Sequence, residues 1–355
     1  MKNKRLISIL LLLSIVFTCS AMQSCAKKEQ KEKYVAHSFD YFDTATTITG
    51  YESSKEAFDT VSAEALAMLE EYHRLFTIYH RFDGMENLCT INELEDGVHR
   101  KVTVDSRIID MLLYAKQMYE LSDGRMNVAM GSVLSIWHSY RTAGTDEPLY
   151  AQLPPLDKLS QAAEHTDIDN LIIDEAESTV WISDPLMTLD VGAIAKGYAV
   201  EMVAKSLEAK GAYGYVINVG GNVRSIGTKP DSEKWLAGIE NPNTDAEEPY
   251  IVYLQLSGES VVTSGSYQRY YTVDGKNYHH IIDAESLMPA ERYLSVSVVC
   301  KHSGLGDALS TALFCMPFKE GLELVESLDD VEAFWVMTDE STKQSSGFSR
   351  FVSEK

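Results

Sequence analysis

The stretch AIAKGYAVEMVAKSLEAKG (residues 193–211) and the AYGYVINVGGNVRSIGTK that follows it (212–229) decide the fold class. In the first, apolar residues recur at helical spacing, and Gly211 closes the run as glycines do just past a helix end. The second switches to β-branched and aromatic runs punctuated by glycine, which reads as strands and turns. More strand-like runs follow with no helix between them: WLAGIE (235–240), YIVYLQL (250–256), SVVTSG (260–265), QRYYTVDG (268–275) and HHIID (279–283). A helix followed by serial strands is not the alternation of a parallel sheet. The predicted class is α+β, with mixed or antiparallel sheets and flanking helices.

The flanks extend that reading. Phe39–Tyr51 reads as a strand. Lys55–Tyr79 carries Val61, Ala65, Leu69, Tyr72, Phe76 and Tyr79 at helical spacing, so it predicts a long amphipathic helix. Ser106–Leu121 predicts a second helix with Asp105 as its cap. Residues 122–137 read as a loop and a short helix. Residues 141–160, with glycine, three prolines and acidic groups, read as an excursion over the surface. Residues 170–189 alternate like a hairpin with its turn at Glu175–Ser178. Toward the C-terminus, Val296–Cys300 and Ala333–Met337 read as strands, and Ser303–Met316 and Lys319–Leu328 as helices. No internal repeat is evident.

Of 355 residues, 45% are hydrophobic and 24% charged, which excludes a mostly disordered, collagenous or multi-span membrane chain. The net charge of −22 repels phosphate backbones, so nucleic-acid binding is excluded as a broad function. A small phosphorylated ligand then needs local neutralisation by a cation or a helix end. The N-terminus opens with Lys2, Lys4 and Arg5. An apolar run from Leu6 to Phe17 follows, too short to span a bilayer comfortably. Ala21-Met22-Gln23-Ser24-Cys25 then resembles a bacterial lipoprotein signal, with 1–24 removed and Cys25 lipidated. A plain secretory signal and an uncleaved anchor are the alternatives. Residues 25–36, including AKKEQKEK (26–33), read as a flexible tether, and 37–355 as the folded body. This reading expects a protein of the bacterial cell envelope, held to a membrane by lipid on its extracytoplasmic face. Beyond the signal and Cys25, Cys89, Cys300 and Cys315 are odd in number and scattered. They suggest neither a disulfide framework nor a zinc site.

Four stretches carry chemistry. In LDVGAIAKGY (189–198), Asp190 ends a strand, Gly192 permits a tight turn and a helix follows. Amides at a helix start favour an anion, and Lys196 adds a charge one turn inside. The plainer reading is a structural turn with Asp190 as helix cap. In NVGGN (218–222), paired glycines suit a hairpin or a close approach to a ligand. TSGSY (263–267) precedes KNYHHIID (276–283), where His280 is a candidate base near neutral pH and His279 points to the opposite face of a strand. In GDALST (306–311), Asp307, Ser310 and Thr311 fall on one helix face. Their oxygens suit a hard cation such as Mg²⁺ and are poor ligands for zinc. A carboxylate with back-bonded hydroxyls is the structural alternative.

Taken in order, FDTATTITGY, SDGRMNVAMGSVLSIW, LDVGAIAKGYA, INVGGNVRSIG, WLAGIENP, VVTSGSYQRYY, YHHIIDAESLMPA and GDALSTAL resemble the ApbE family of FAD:protein FMN transferases, over about residues 39–316. The resemblance implies an α+β fold that binds FAD in a cleft, with Mg²⁺ at the pyrophosphate. It implies metal ligands at Asp307, Thr311 and the carbonyl of Ala193, with Ser310 beside them. It places FAD contacts at Phe42, Tyr79, Ala129, Met130, Gly131, Asp190, Lys196 and Ile281. It implies transfer of FMN from FAD to a threonine hydroxyl of a target protein with release of AMP, the target being a membrane electron-transport subunit with a Ser/Thr-containing motif. His280 and Asp307 are the catalytic candidates, with His280 favoured as base because Asp307 is committed to metal. Two rivals share these residues in whole or part: an Mg²⁺-dependent FAD pyrophosphatase, and a non-catalytic flavin-binding lipoprotein. The chain departs from the family's usual Met-Gly-Thr at Phe42-Asp43-Thr44, and from its Asp-Pro-x-Thr-Gly at Asp283-Ala284-Glu285-Ser286-Leu287. Asn127 and Ala129 likewise replace a frequent Asp and Thr.

Overall fold

β-branched and aromatic runs build one eight-stranded antiparallel sheet, seen in a computed structural model that describes residues 31–354. Its strands are β1 (Glu32–Ser38), β2 (Thr46–Glu52), β3 (Tyr215–Val219), β4 (Asn222–Ile226), β7 (Ser260–Gly265), β10 (Tyr293–Cys300), β11 (Glu332–Met337) and β12 (Thr342–Gln344). They lie in the spatial order in which they are named. Between them in the chain come a two-stranded ribbon, β5 (Trp235–Glu240) and β6 (Tyr250–Leu256), and a hairpin, β8 (Tyr270–Val273) and β9 (Lys276–His279). The α+β prediction holds.

The two faces of the sheet have different covers. Ile48, Ile217, Val219, Val298 and Trp335 face the main core under three helices, α1 (Lys55–Phe76), α5 (Ala195–Ala209) and α6 (Ser303–Cys315). Their sequence neighbours Val216, Val299, Phe334 and Val336 face the other way. There Trp235, Ile239, Leu254 and Leu256 of the ribbon pack on them. A third cluster joins Trp137 of α3 (Gly131–Asp146) and Leu159 of α4 (Leu156–Ala163) to Tyr271 and Val273 of the β8–β9 hairpin. The helix α2 (Ser106–Leu121) lies where periodicity predicts, and Asp105 caps it by accepting the Arg107 N–H at 2.9 Å.

Several expectations need correction. The tether cannot extend to residue 36, because Glu32–Ser38 pairs along its whole length with Thr46–Glu52. The signal, Cys25 and residues up to 30 lie outside the described residues. Residues 141–160 are not an excursion: α3 continues to Asp146, and α4 starts after Pro154-Pro155, where a proline is tolerated because no helical amide is lost. Phe39–Tyr51 is strand only from Thr46, since Phe42 and Asp43 both take left-handed backbone, φ 55° and 51°. Gly220 and Gly221, φ 55° and 89°, form the two-residue turn between β3 and β4, the backbone such a tight hairpin requires. No helix among the described residues is long and apolar enough to cross a membrane.

Candidate functional site

The start of α5 is shaped by an acid from another helix. Asp190 does not cap it directly: its Oδ1 accepts the Gly192 N–H at 2.9 Å, making a local turn, and the helix begins only at Ala195. The Gly197 N–H then goes to Oδ2 of Asp307 on α6, at 2.8 Å. The amide expected to await an anionic ligand is therefore already bonded to a carboxylate. In an uninterrupted helix that N–H would go to the carbonyl of Ala193, four residues back. Ala193 itself lines the cavity. Lys196 turns inward as well, its Nζ 3.3 Å from the Gly192 carbonyl and 3.8 Å from Asp307 Oδ1.

Asp307 is buried, and burial raises its pKa above the ordinary value, opposed by Lys196 and the Gly197 amide. Thr311, one turn on, lines the same cavity. Ser310 is fully buried behind them. It donates to the Asp307 carbonyl at 3.0 Å and lies 2.8 Å from the Ser264 hydroxyl, which also reaches Thr311 at 3.3 Å. Asn222 Oδ1, buried at the same spot, has no hydrogen-bond partner. An orphaned carbonyl oxygen costs about 1–3 kcal/mol unless an ion or water completes it. One carboxylate with hydroxyl and carbonyl oxygens fits Mg²⁺, which takes few protein ligands and shares phosphate oxygens. Among the described residues no three His, Cys, Asp or Glu gather at one point, so a zinc-type set is absent there.

Helix crossing is tight at this spot. A Cβ on Gly197 would lie 2.4 Å from Asp307 Cβ and 2.5 Å from the Ser303 carbonyl oxygen. Gly197→Ala is expected to cost about 1–3 kcal/mol, read as a lower urea midpoint. An unchanged midpoint would show that the crossing has room to relax.

These groups open onto a cavity of about 840 Å³, within the range of small-molecule sites. Arg141, Lys196 and Arg269 bring positive charge to it alongside the carboxylates of Asp43, Asp190 and Glu240, while Arg125 is paired to Glu285 at 2.7 Å. His280 donates from Nδ1 to the Arg269 carbonyl at 3.2 Å, which leaves Nε2 as an acceptor. Burial first, then Arg269 and Arg141, push its pKa down to about 3, so the ring is neutral. His279 faces away, as predicted, with Nε2 2.8 Å from the Ala290 carbonyl. His138 lines the same cavity, its Nδ1 3.2 Å from the Tyr79 hydroxyl and its Nε2 3.9 Å from Asp190 Oδ2. Burial holds His138 below the usual imidazole pKa.

Of the residues named from sequence, Tyr79, Met130, Asp190, Ala193, Lys196, His280, Ile281, Asp307 and Thr311 line this one cavity. Phe42 stands beside it, next to lining Asp43, and its ring meets His73 edge-on at 5.5 Å. Ala129 and Gly131 lie behind the wall: Ala129 is fully buried, and Gly131 donates to the Thr188 carbonyl at 3.0 Å. Arg141, Arg269 and His138 are not among the residues read from sequence, and Asn222 enters there only as part of the NVGGN stretch. Met130, Leu134, His138 and Arg141 share one face of α3, a stripe that becomes visible only once the helix is known to pass residue 137.

The turn after His280 is held firmly despite its sequence. Leu287 takes φ 60°, where the resembling family has glycine, at a typical cost of about 1–2 kcal/mol. Its N–H reaches the Asp283 carbonyl at 2.8 Å, and its own carbonyl accepts the Trp137 indole N–H at 2.9 Å. Arg292 lies 3.4 Å from the Asp283 carboxylate.

The ApbE family model matches residues 42–335. An FAD:protein FMN transferase of Klebsiella pneumoniae (strain 342) is 32% identical over 272 residues, covering 74% of this chain and 81% of the relative. One of Treponema pallidum (strain Nichols) is 30% identical, covering 72% and 74%. The crystal structure of the ApbE protein from Thermotoga maritima superposes with a TM-score of 0.78 at 27% identity, covering 91% of this chain and all of the other. Fold, cavity and sequence thus converge, and the chain belongs to the ApbE family.

Proposed function

We propose that this protein transfers FMN from FAD to a hydroxyl of a target protein and releases AMP. The observation that carries this reading is the buried Asp307 beside Lys196, sharing a cavity of dinucleotide size with Thr311, Ala193 and His280. In an acidic chain, this cationic end is where a diphosphate finds neutralisation. Asp307, Thr311 and the Ala193 carbonyl would hold Mg²⁺, which when bound offsets charge on the diphosphate. Arg141 and Arg269 orient the phosphoryl groups from the other side. His280 Nε2 takes the proton of the attacking hydroxyl, a weak nucleophile until deprotonated. The acceptor oxygen bonds to the phosphorus on the flavin side. The bond from that phosphorus to the bridging oxygen breaks, and AMP leaves with the electron pair. The accepting side chain is a threonine in this reading, on a membrane electron-transport subunit.

The test is incubation with FAD, Mg²⁺ and a peptide bearing a Ser/Thr-containing acceptor motif, followed by mass spectrometry. Covalent FMN on the peptide with one AMP per adduct is expected. Free FMN and AMP without adduct would make the protein a pyrophosphatase. Binding without turnover would make it a flavin carrier.

A further inference from the structure

The charged end is only part of the cavity. The other end is a trough floored by Thr47, Thr49, Val216 and Val223 on the ribbon side of the sheet. Its wall is β5, through Leu236, Gly238 and Glu240. The outer edge of β6 is closed by the C-terminal segment, with Leu254 bridging Val352 and the Ser353 N–H donating to the Tyr253 carbonyl at 2.8 Å. β5 pairs with β6 on one side and has no strand partner on the other among the described residues. Several β5 residues line the trough but only Tyr250 of β6 does, so the open edge of β5 runs beside it. The Tyr250 ring lies over Gly238, within 2.4 Å of where a Cβ would stand, a contact that only glycine allows. Leu236 is 53% exposed.

We infer that the β5 edge is the docking site of the acceptor: an extended polypeptide segment free of acidic groups pairs with Trp235–Glu240 and delivers its hydroxyl to His280. This rests on the transferase reading. Two substrates must meet in one cavity, and the phosphates of the dinucleotide are drawn to the arginines and Lys196. The trough continuous with that end carries Glu240 and no basic side chain, so it is left for a chain free of acidic groups. An open edge offers such a chain main-chain hydrogen bonds, and Leu236 offers apolar contact.

Hydrogen exchange in the full chain tests this, with Mg²⁺ and FAD, and with an acceptor peptide whose threonine is replaced by valine so that it docks without reacting. Amides of residues 235–240 are expected to slow by about tenfold or more with peptide and to be unaffected by FAD alone. Protection by FAD alone would hand the trough to the flavin. Absence of protection, with the threonine peptide still flavinylated, would put the acceptor elsewhere. Leu236→Asp is expected to raise KM for the peptide about tenfold with FAD affinity unchanged, and an unaltered KM would overturn the assignment. A threonine peptide that gains no flavin from the unaltered protein defeats the transferase reading itself, and this inference with it.

Discussion

Asp307→Asn is expected to lower kcat/KM for flavin transfer by about 10³-fold or more, the scale seen when a key electrostatic group is removed from a reaction centre. Asparagine keeps the shape of the side chain and can still accept the Gly197 N–H, so the α5–α6 contact survives. What goes is the one negative charge among the oxygens at that point. The loss should appear both in covalent flavin on an acceptor peptide and in Mg²⁺ binding by titration calorimetry. Transfer at the original rate would remove Asp307 from the metal site and from the reaction.

His280→Ala is expected to slow transfer by about 10²–10⁴-fold with FAD affinity retained, the contribution typical of a positioned base. The pH profile sharpens this. The pKa of His280 in the free protein is held down to about 3, by burial first and by Arg269 and Arg141 next. Its Nε2 lone pair is therefore available throughout the neutral range, and protonation removes it only in strong acid. The acid limb of kcat/KM, which reports the free enzyme, should lie well below 6.5. A bound diphosphate offsets the two arginines and raises the pKa, so the acid limb of kcat should lie at higher pH than that of kcat/KM. A kcat/KM limb at the ordinary imidazole value would exclude His280 as the base, and a variant that lost only FAD affinity would make it a binding residue.

Local rules made much of the fold legible. Helix α2 and its Asp105 cap, the Gly211 stop of α5 and the Gly220-Gly221 turn each follow from neighbouring residues alone. The misreadings arose where tertiary partners decide. Glu32–Ser38 looks like charged tether because only Tyr34 and Ala36 pack inward, and its strand state comes from pairing with β2. The helix beyond Trp137 runs through a polar, proline-bounded stretch because Trp137 and Gly144 bury against Trp137's neighbours on the β8–β9 hairpin. The same limit governed the site. Asp307, Thr311, Lys196 and His280 stood out because their motifs carry the chemistry. Arg141 was hidden by the misjudged helix length. Arg269 lay in a strand-like run that gave no sign of which way it faced.

The contact at Gly197 ties folding to catalysis. A point where α5 and α6 touch closely is also where the proposed metal ligand Asp307 is set, through one amide and one carboxylate. Any side chain added there spreads the two helices and displaces that ligand in the same movement. Across a series of substitutions at this position, melting temperature and turnover should fall together. That leaves evolution little freedom to exchange one for the other.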